Sequence, residues 1–131
     1  MEALHALGIK HPAIATSYIA DIDARLVDVL EKSGFQVAAI RGMGLEKSID
    51  MGKVEPESTY RLAREAVRSA PDADGILISC GNLRTFEAIE PLEIDTRLSV
   101  VTSNQAGLWQ ALRIAGVGDH LSGFGRLLRE Y

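Results

Sequence analysis

Apolar and polar positions along this chain follow two alternating periodicities. Short continuous apolar runs, rich in β-branched residues, occur at Ala13–Thr16, Gln36–Ile40, Gly75–Ser79 and Ser99–Thr102. Each has the length of a strand covered on both faces, where no polar side is required. Between these runs the spacing becomes helical. From Asp21 to Ser33, the residues Ile22, Leu26, Val29 and Leu30 fall on one helical face, and Gly34 supplies a stop. A second helix is expected after Pro56, a natural first-turn residue, burying Tyr60, Ala63, Ala66, Val67 and Ala70. The turn cluster Pro71–Gly75 ends it. A shorter helix over Leu83–Ile89 is expected to stop near Pro91, and another over Gln105–Ala115 to stop at Gly116. A first helix, Glu2–Leu7, ends at Gly8.

Such alternation predicts an α/β domain with a four-stranded parallel sheet, right-handed crossovers and helices on both faces. With 131 residues, one domain is expected. The helix Gln105–Ala115 departs from the pattern, because Ala106, Leu108, Trp109, Ala111, Leu112, Ile114 and Ala115 leave it apolar nearly all round. A helix of this kind is covered on two sides. Its second cover is expected to be a partner, either another copy in a homo-oligomer or a missing N-terminal half. The tail Gly123–Tyr131 folding back is the alternative within one chain.

Composition narrows the function classes. There are 14 Lys+Arg against 18 Asp+Glu, a net charge of −4, which disfavours a nucleic-acid or anionic-membrane surface. No apolar run reaches the ~18–20 residues of a membrane span, and the N-terminus lacks the basic flank of a secretion signal. The single cysteine, Cys80, forms no internal disulfide, and with His5, His11 and His120 scattered it makes no zinc cluster. A cytoplasmic protein without a metal is the expectation.

In an open parallel sheet, ligands bind beyond the carboxyl ends of the strands. There the sequence places Thr16-Ser17-Tyr18, Arg41-Gly42-Met43-Gly44, Ser79-Cys80-Gly81-Asn82 and Thr102-Ser103-Asn104-Gln105. The first, third and fourth turns carry hydroxyls, amides, glycine and a thiol, and no carboxylate, a set suited to an anionic ligand such as a carboxylate. Cys80 stands at a strand end before Gly81, where a helix N-terminus would favour its thiolate. It equally fits a buried core cysteine, since Ile76-Leu77-Ile78 precede it. The glycines after the second strand do not make a dinucleotide fingerprint, and neither a phosphate-loop Gly-Lys-Ser/Thr nor a Gly-x-Ser-x-Gly elbow is present.

Taken together, Ser79-Cys80-Gly81-Asn82-Leu83-Arg84-Thr85, Val100-Val101-Thr102-Ser103-Asn104-Gln105-Ala106, Trp109, Thr16-Ser17-Tyr18 and Arg41-Gly42-Met43-Gly44-Leu45 resemble the maleate cis–trans isomerase and arylmalonate decarboxylase group of the aspartate/glutamate racemase superfamily. Those enzymes have two pseudo-symmetric α/β halves around a cleft and use no cofactor. This chain resembles the C-terminal half. The resemblance implies that Cys80 is the catalytic thiol, working as acid or base at a carbon beside a carboxylate. It implies that Gly81, Asn82 and Tyr18, with Ser17 and Asn104, bind a small carboxylate or dicarboxylate substrate. Asn82 points to the isomerase branch, because decarboxylases have a second glycine there. The segment Glu46-Lys47-Ser48-Ile49-Asp50 lacks the asparagine usual in isomerases. The expected function is therefore isomerisation of a maleate-like dicarboxylate. A decarboxylase, a racemase relative or a non-catalytic binding half are the alternatives.

Overall fold

The computed structural model describes all residues from Met1 to Tyr131. In chain order the elements are α1 (Glu2–Ala6), β1 (Pro12–Thr16), α2 (Ala20–Lys32), β2 (Ala39–Gly42), α3 (Ser48–Met51), α4 (Pro56–Arg68), β3 (Gly75–Ser79), α5 (Phe86–Thr96), β4 (Ser99–Thr102), α6 (Ser103–Ile114) and α7 (Gly125–Glu130). The four strands form one parallel sheet in the order β2-β1-β3-β4. The α/β architecture and the two-sided cover are those expected.

Period-2 side-chain alternation divides the core into two layers. Ala15, Ile76, Ile78 and Val100 face one layer, together with Ala63 of α4 and Ala88, Ile89 and Leu92 of α5. Ile14, Leu77 and Val101 face the other, with Leu4 of α1, Leu30 of α2 and Leu127 of α7.

Two element boundaries differ from the sequence reading, each for a physical reason. The second strand lies at Ala39–Gly42, about three residues later than the apolar run. It is an edge strand, half-buried to exposed, so its pairing with β1 extends through Arg41 and Gly42 without requiring apolar side chains. The helix after β3 begins at Phe86, leaving Gly81–Thr85 as loop, and runs through Pro91 to Thr96. Proline inside a helix costs about 3 kcal/mol. Burial of Ile89 and Leu92, on either side of Pro91, offsets that cost.

Two short helices carry weak periodicity and were not expected. α3 follows the second-strand turn, and Met51 at its end is buried. α7 is the folded-back tail. Its Leu127 and Leu128 are fully buried, and Gly125 starts it with φ +80°, where an added Cβ would strike Ile89. Glu93 of α5 anchors this helix by accepting from the Arg126 N–H at 3.0 Å and from the Val100 N–H at 3.1 Å. The tail nevertheless leaves part of α6 uncovered, with Leu108 42% and Ile114 78% exposed.

Removing Leu127 opens a cavity in the sheet layer. Leu127→Ala is expected to lose about 2–5 kcal/mol in urea melts. Ile94→Ala, at an exposed site on the outer side of α5, is expected to change stability by less than about 0.5 kcal/mol. Equal losses would contradict the assignment of α7 to the core.

Candidate functional site

After β1 the chain crosses to β2 on one side, and after β3 it crosses to β4 on the other. A crevice therefore opens beyond the carboxyl ends of β1 and β3, at the topological switch point. Thr16 and Ser79 are register partners at the ends of these strands. The next residues out are Ser17-Tyr18 and Cys80-Gly81-Asn82, so the topology brings together the two turns that carry the phenol and the thiol.

Cys80 is only 4% exposed. Its Sγ lies 3.8 Å from Met51 Sδ, and the Asn82 backbone N–H donates to it at 3.4 Å. The Gly81 N–H, on the exposed residue next in sequence to Cys80, has no partner in the protein. These loop donors take the place of the expected helix N-terminus. α5 starts only at Phe86, because Leu83 turns inward to the core and holds the intervening segment as loop.

The Tyr18 side chain packs against Ser79 and Cys80. Burial raises its phenol above the ordinary tyrosine range, the nearby thiol and Asp23 push the same way, and the Ser79 contact opposes them. At neutral pH Tyr18 is accordingly an uncharged O–H donor.

Backbone bonds strap this turn to the loop after β2. Met43, Gly44 and Leu45 donate to the carbonyls of Thr16, Tyr18 and Ser17 at 3.0, 3.0 and 2.9 Å. Side chains at Gly42 are excluded, since an added Cβ would run into the Asp23 carboxylate and the Tyr18 carbonyl. Below the strap, Thr16 Oγ1 accepts from the Tyr18 N–H at 3.2 Å and donates to Asp23 Oδ1 at 2.6 Å. Asp23, in the first turn of α2, is buried. Burial raises its carboxyl above the ordinary aspartate value, and the Thr16 hydroxyl works against that rise.

The remaining candidates separate by position. Ser17 is fully buried, and its hydroxyl has no partner within the protein. Asn104, at the start of α6, spends its amide group on the fold. Its Nδ2 donates to the Gly81 carbonyl at 3.2 Å and to the Leu83 carbonyl at 3.3 Å. Through these bonds it braces the thiol loop. Asn82 is exposed at the rim. Asp23, Met51 and Leu45 were missed by sequence reasoning. Asp23 reads as a helix first-turn acid, and Met51 sits in a segment with no usable periodicity. No three His, Cys, Asp or Glu side chains form a group that could hold a metal, and no helix is long and apolar enough to cross a membrane.

Comparison with known proteins identifies the family and the fold. The family profile described as arylmalonate decarboxylase matches residues 1–128. The chain is similar to arylmalonate decarboxylase of Bordetella bronchiseptica, at 38% identity over 99% of this chain and 55% of that protein. It is also similar to maleate isomerase of Nocardia farcinica, at 27% identity over 99% of this chain and 51% of that protein. Among solved structures, a liganded arylmalonate decarboxylase double mutant superposes with a TM-score of 0.96 at 37% identity, covering 99% of this chain and 56% of that one. The Nocardia farcinica maleate cis–trans isomerase bound to TRIS superposes at 0.89 with 25% identity, over 98% and 52%. The chain thus spans about half the length of the curated relatives it matches.

Asp23 makes stability depend on pH in a predictable direction. A carboxyl raised in the folded state destabilises the fold while it is charged, and that cost fades as pH falls through its folded value toward the unfolded one. Asp23→Asn removes the charge. Relative to wild type it is expected to gain more stability at about pH 7 than at about pH 4 in paired urea melts. A wild-type-to-variant difference that is flat across this range would exclude a buried charge at Asp23.

Proposed function

Because the chain belongs to the arylmalonate decarboxylase family, we propose that Cys80 delivers a proton to a substrate carbon that bears a carboxylate, in the decarboxylation of a malonate-type diacid. The observation that carries this reading is the grouping of thiol, neutral phenol and unpartnered Gly81 N–H at one crevice. One substrate carboxylate accepts from the Gly81 N–H and the Tyr18 hydroxyl. The other leaves as carbon dioxide, and the electrons of the broken C–C bond pass into the retained carboxylate as an enediolate. Fixed donors aimed at that growing charge stabilise it without reorganising. The Cys80 S–H then protonates the carbon, the Asn82 N–H supports the resulting thiolate, and solvent returns the proton to sulfur. No step requires a metal or an organic cofactor.

A second reading is cis–trans isomerisation, in which the thiolate adds to a double bond, the single bond so formed allows rotation, and the thiolate leaves again. The similarity to maleate isomerase and the Asn82 side chain at the rim favour it. We put decarboxylation first on the strength of the greater identity to arylmalonate decarboxylase and the family profile.

Proton NMR of the chain with phenylmalonate, and separately with maleate, in deuterated water distinguishes the two. Decarboxylation yields phenylacetate carrying solvent deuterium at the α-carbon, whereas isomerisation yields fumarate. Cys80→Ala is expected to lower turnover by about 100-fold or more, and Tyr18→Phe by about 10- to 100-fold. Turnover that survives in Cys80→Ala would refute the thiol role, and fumarate alone would replace the first reading by the second.

The proposal includes assembly, supported by the uncovered apolar side chains of α6. Light scattering is expected to give at least a dimer, and Leu108→Glu to shift it toward monomer. A wild-type monomer at high concentration would overturn this part.

A further inference from the structure

The sheet edge holds a second space beside the thiol. A cavity of about 380 Å³ is lined by Tyr18, Ile19, Ile22, Leu45, Glu46 and Met51. Two of these walls touch the sulfur's surroundings directly. Met51 Sδ is 3.8 Å from Cys80 Sγ, and the Tyr18 side chain packs on Cys80. Cys80 itself does not line this cavity, but Met51 and Tyr18 form a wall shared between the cavity and the thiol, which puts the cavity next to the place where a substrate would react. To a further arm of such a substrate, Ile19, Ile22, Leu45 and Met51 offer apolar surface. Glu46 is the single charged side chain in the lining. It is exposed and takes part in none of the ion pairs of the structure, and Lys47, next in sequence, does not line the cavity.

We propose that Glu46 is a specificity-determining residue, admitting substrates whose non-reacting arm is neutral or cationic and rejecting those whose arm ends in an anion. The inference rests on the reading of Cys80 as the reacting group, and it specifies which diacids that group can meet. At the mouth of an apolar cavity, solvent screens a like-charge pair from one side only. Two charges several ångströms apart there discriminate on the order of 5-fold. Ile19, Ile22, Leu45 and Met51 offer an anion no polar contact, and the single hydroxyl proton of Tyr18 is taken by the carboxylate at the reacting carbon.

Cys80 is the only cysteine, so covalent labelling reads the site without turnover. The probes are N-substituted iodoacetamides with a propyl, a carboxyethyl or a trimethylammonioethyl arm. In each case the sulfur forms an S–C bond, iodide leaves and the thiol proton passes to solvent. Labelling rates come from intact mass and are normalised to those of N-acetylcysteine. In wild type the anionic arm is expected to react about 5-fold more slowly than the propyl arm, and the cationic arm faster. Glu46→Gln is expected to bring the three rates together, and Glu46→Lys to reverse their order. Glu57→Gln on α4 removes the same unit of charge away from this cavity and is expected to keep the wild-type ratios. The unreactive acetamides with the same arms, followed through Leu45 and Met51 NMR shifts, read the preference as affinities if the buried thiol labels slowly. Ratios that ignore Glu46→Gln, or that move equally in Glu57→Gln, would overturn the proposal. Failure of the decarboxylation reading would instead show in the turnover products and leave these ratios in place.

Discussion

Strand β1 is hydrogen-bonded along both edges, to β2 through Ala13–Thr16 and to β3 through Pro12–Thr16. In a parallel sheet every strand delivers its carboxyl end to the same edge, so the turns after these strands meet there. The crossovers from β1 and β3 run to opposite sides, which leaves the space between their ends uncovered by either connection. Tyr18 and Cys80 occupy that space because each is within two residues of a paired strand end, Thr16 and Ser79. A one-residue slip in the β1–β3 register would invert the two core layers, so burial of Ile14 and Leu77 on one face, and Ile76 and Ile78 on the other, also fixes the site.

The electrostatic character of the crevice follows from where charge has been put. Its groups are an uncharged phenol, a thiol and backbone N–H groups, while the Asp23 carboxylate is tied beneath them to the Thr16 hydroxyl. Arg84, in the same loop as Cys80, pairs outward with Glu55 and Glu87. In the decarboxylation proposed above, the groups this chain offers a carboxylate are fixed dipoles. Such dipoles are already oriented before charge develops, which is the arrangement that stabilises an enediolate more than its parent acid.

Rigidity behind the crevice comes from two small devices. Asn104 clamps the thiol loop through the Gly81 and Leu83 carbonyls, and the Thr102–Gln105 capping box fixes the start of α6 that carries it. Gln105 also donates to the Phe124 carbonyl at 2.7 Å, just before α7. The thiol loop, α6 and the tail are consequently linked by one run of hydrogen bonds from buried or half-buried side chains. Buried amides of this kind act only in one geometry, since leaving them unpaired costs more than their bonds contribute.

The sequence by itself determined the fold class, the element order and which turns face the ligand edge. These depend on local periodicity and on the handedness of β-α-β crossovers, both properties of short stretches of chain. It also singled out Cys80, Tyr18 and Gly81, because strand ends are visible as the ends of apolar runs. Tertiary structure decided what no local pattern encodes. The edge position of β2 let its pairing extend into Arg41 and Gly42, and core contacts on either side carried α5 through Pro91. Ser17 reads as a site residue because it follows a strand, and packing from all sides buries its hydroxyl. Met51 meets Cys80 across 29 residues of chain, and Asp23 meets Thr16 only because α2 folds back along β1. Their roles come from non-local packing and from burial, which set both proximity and charge state and have no counterpart in sequence spacing.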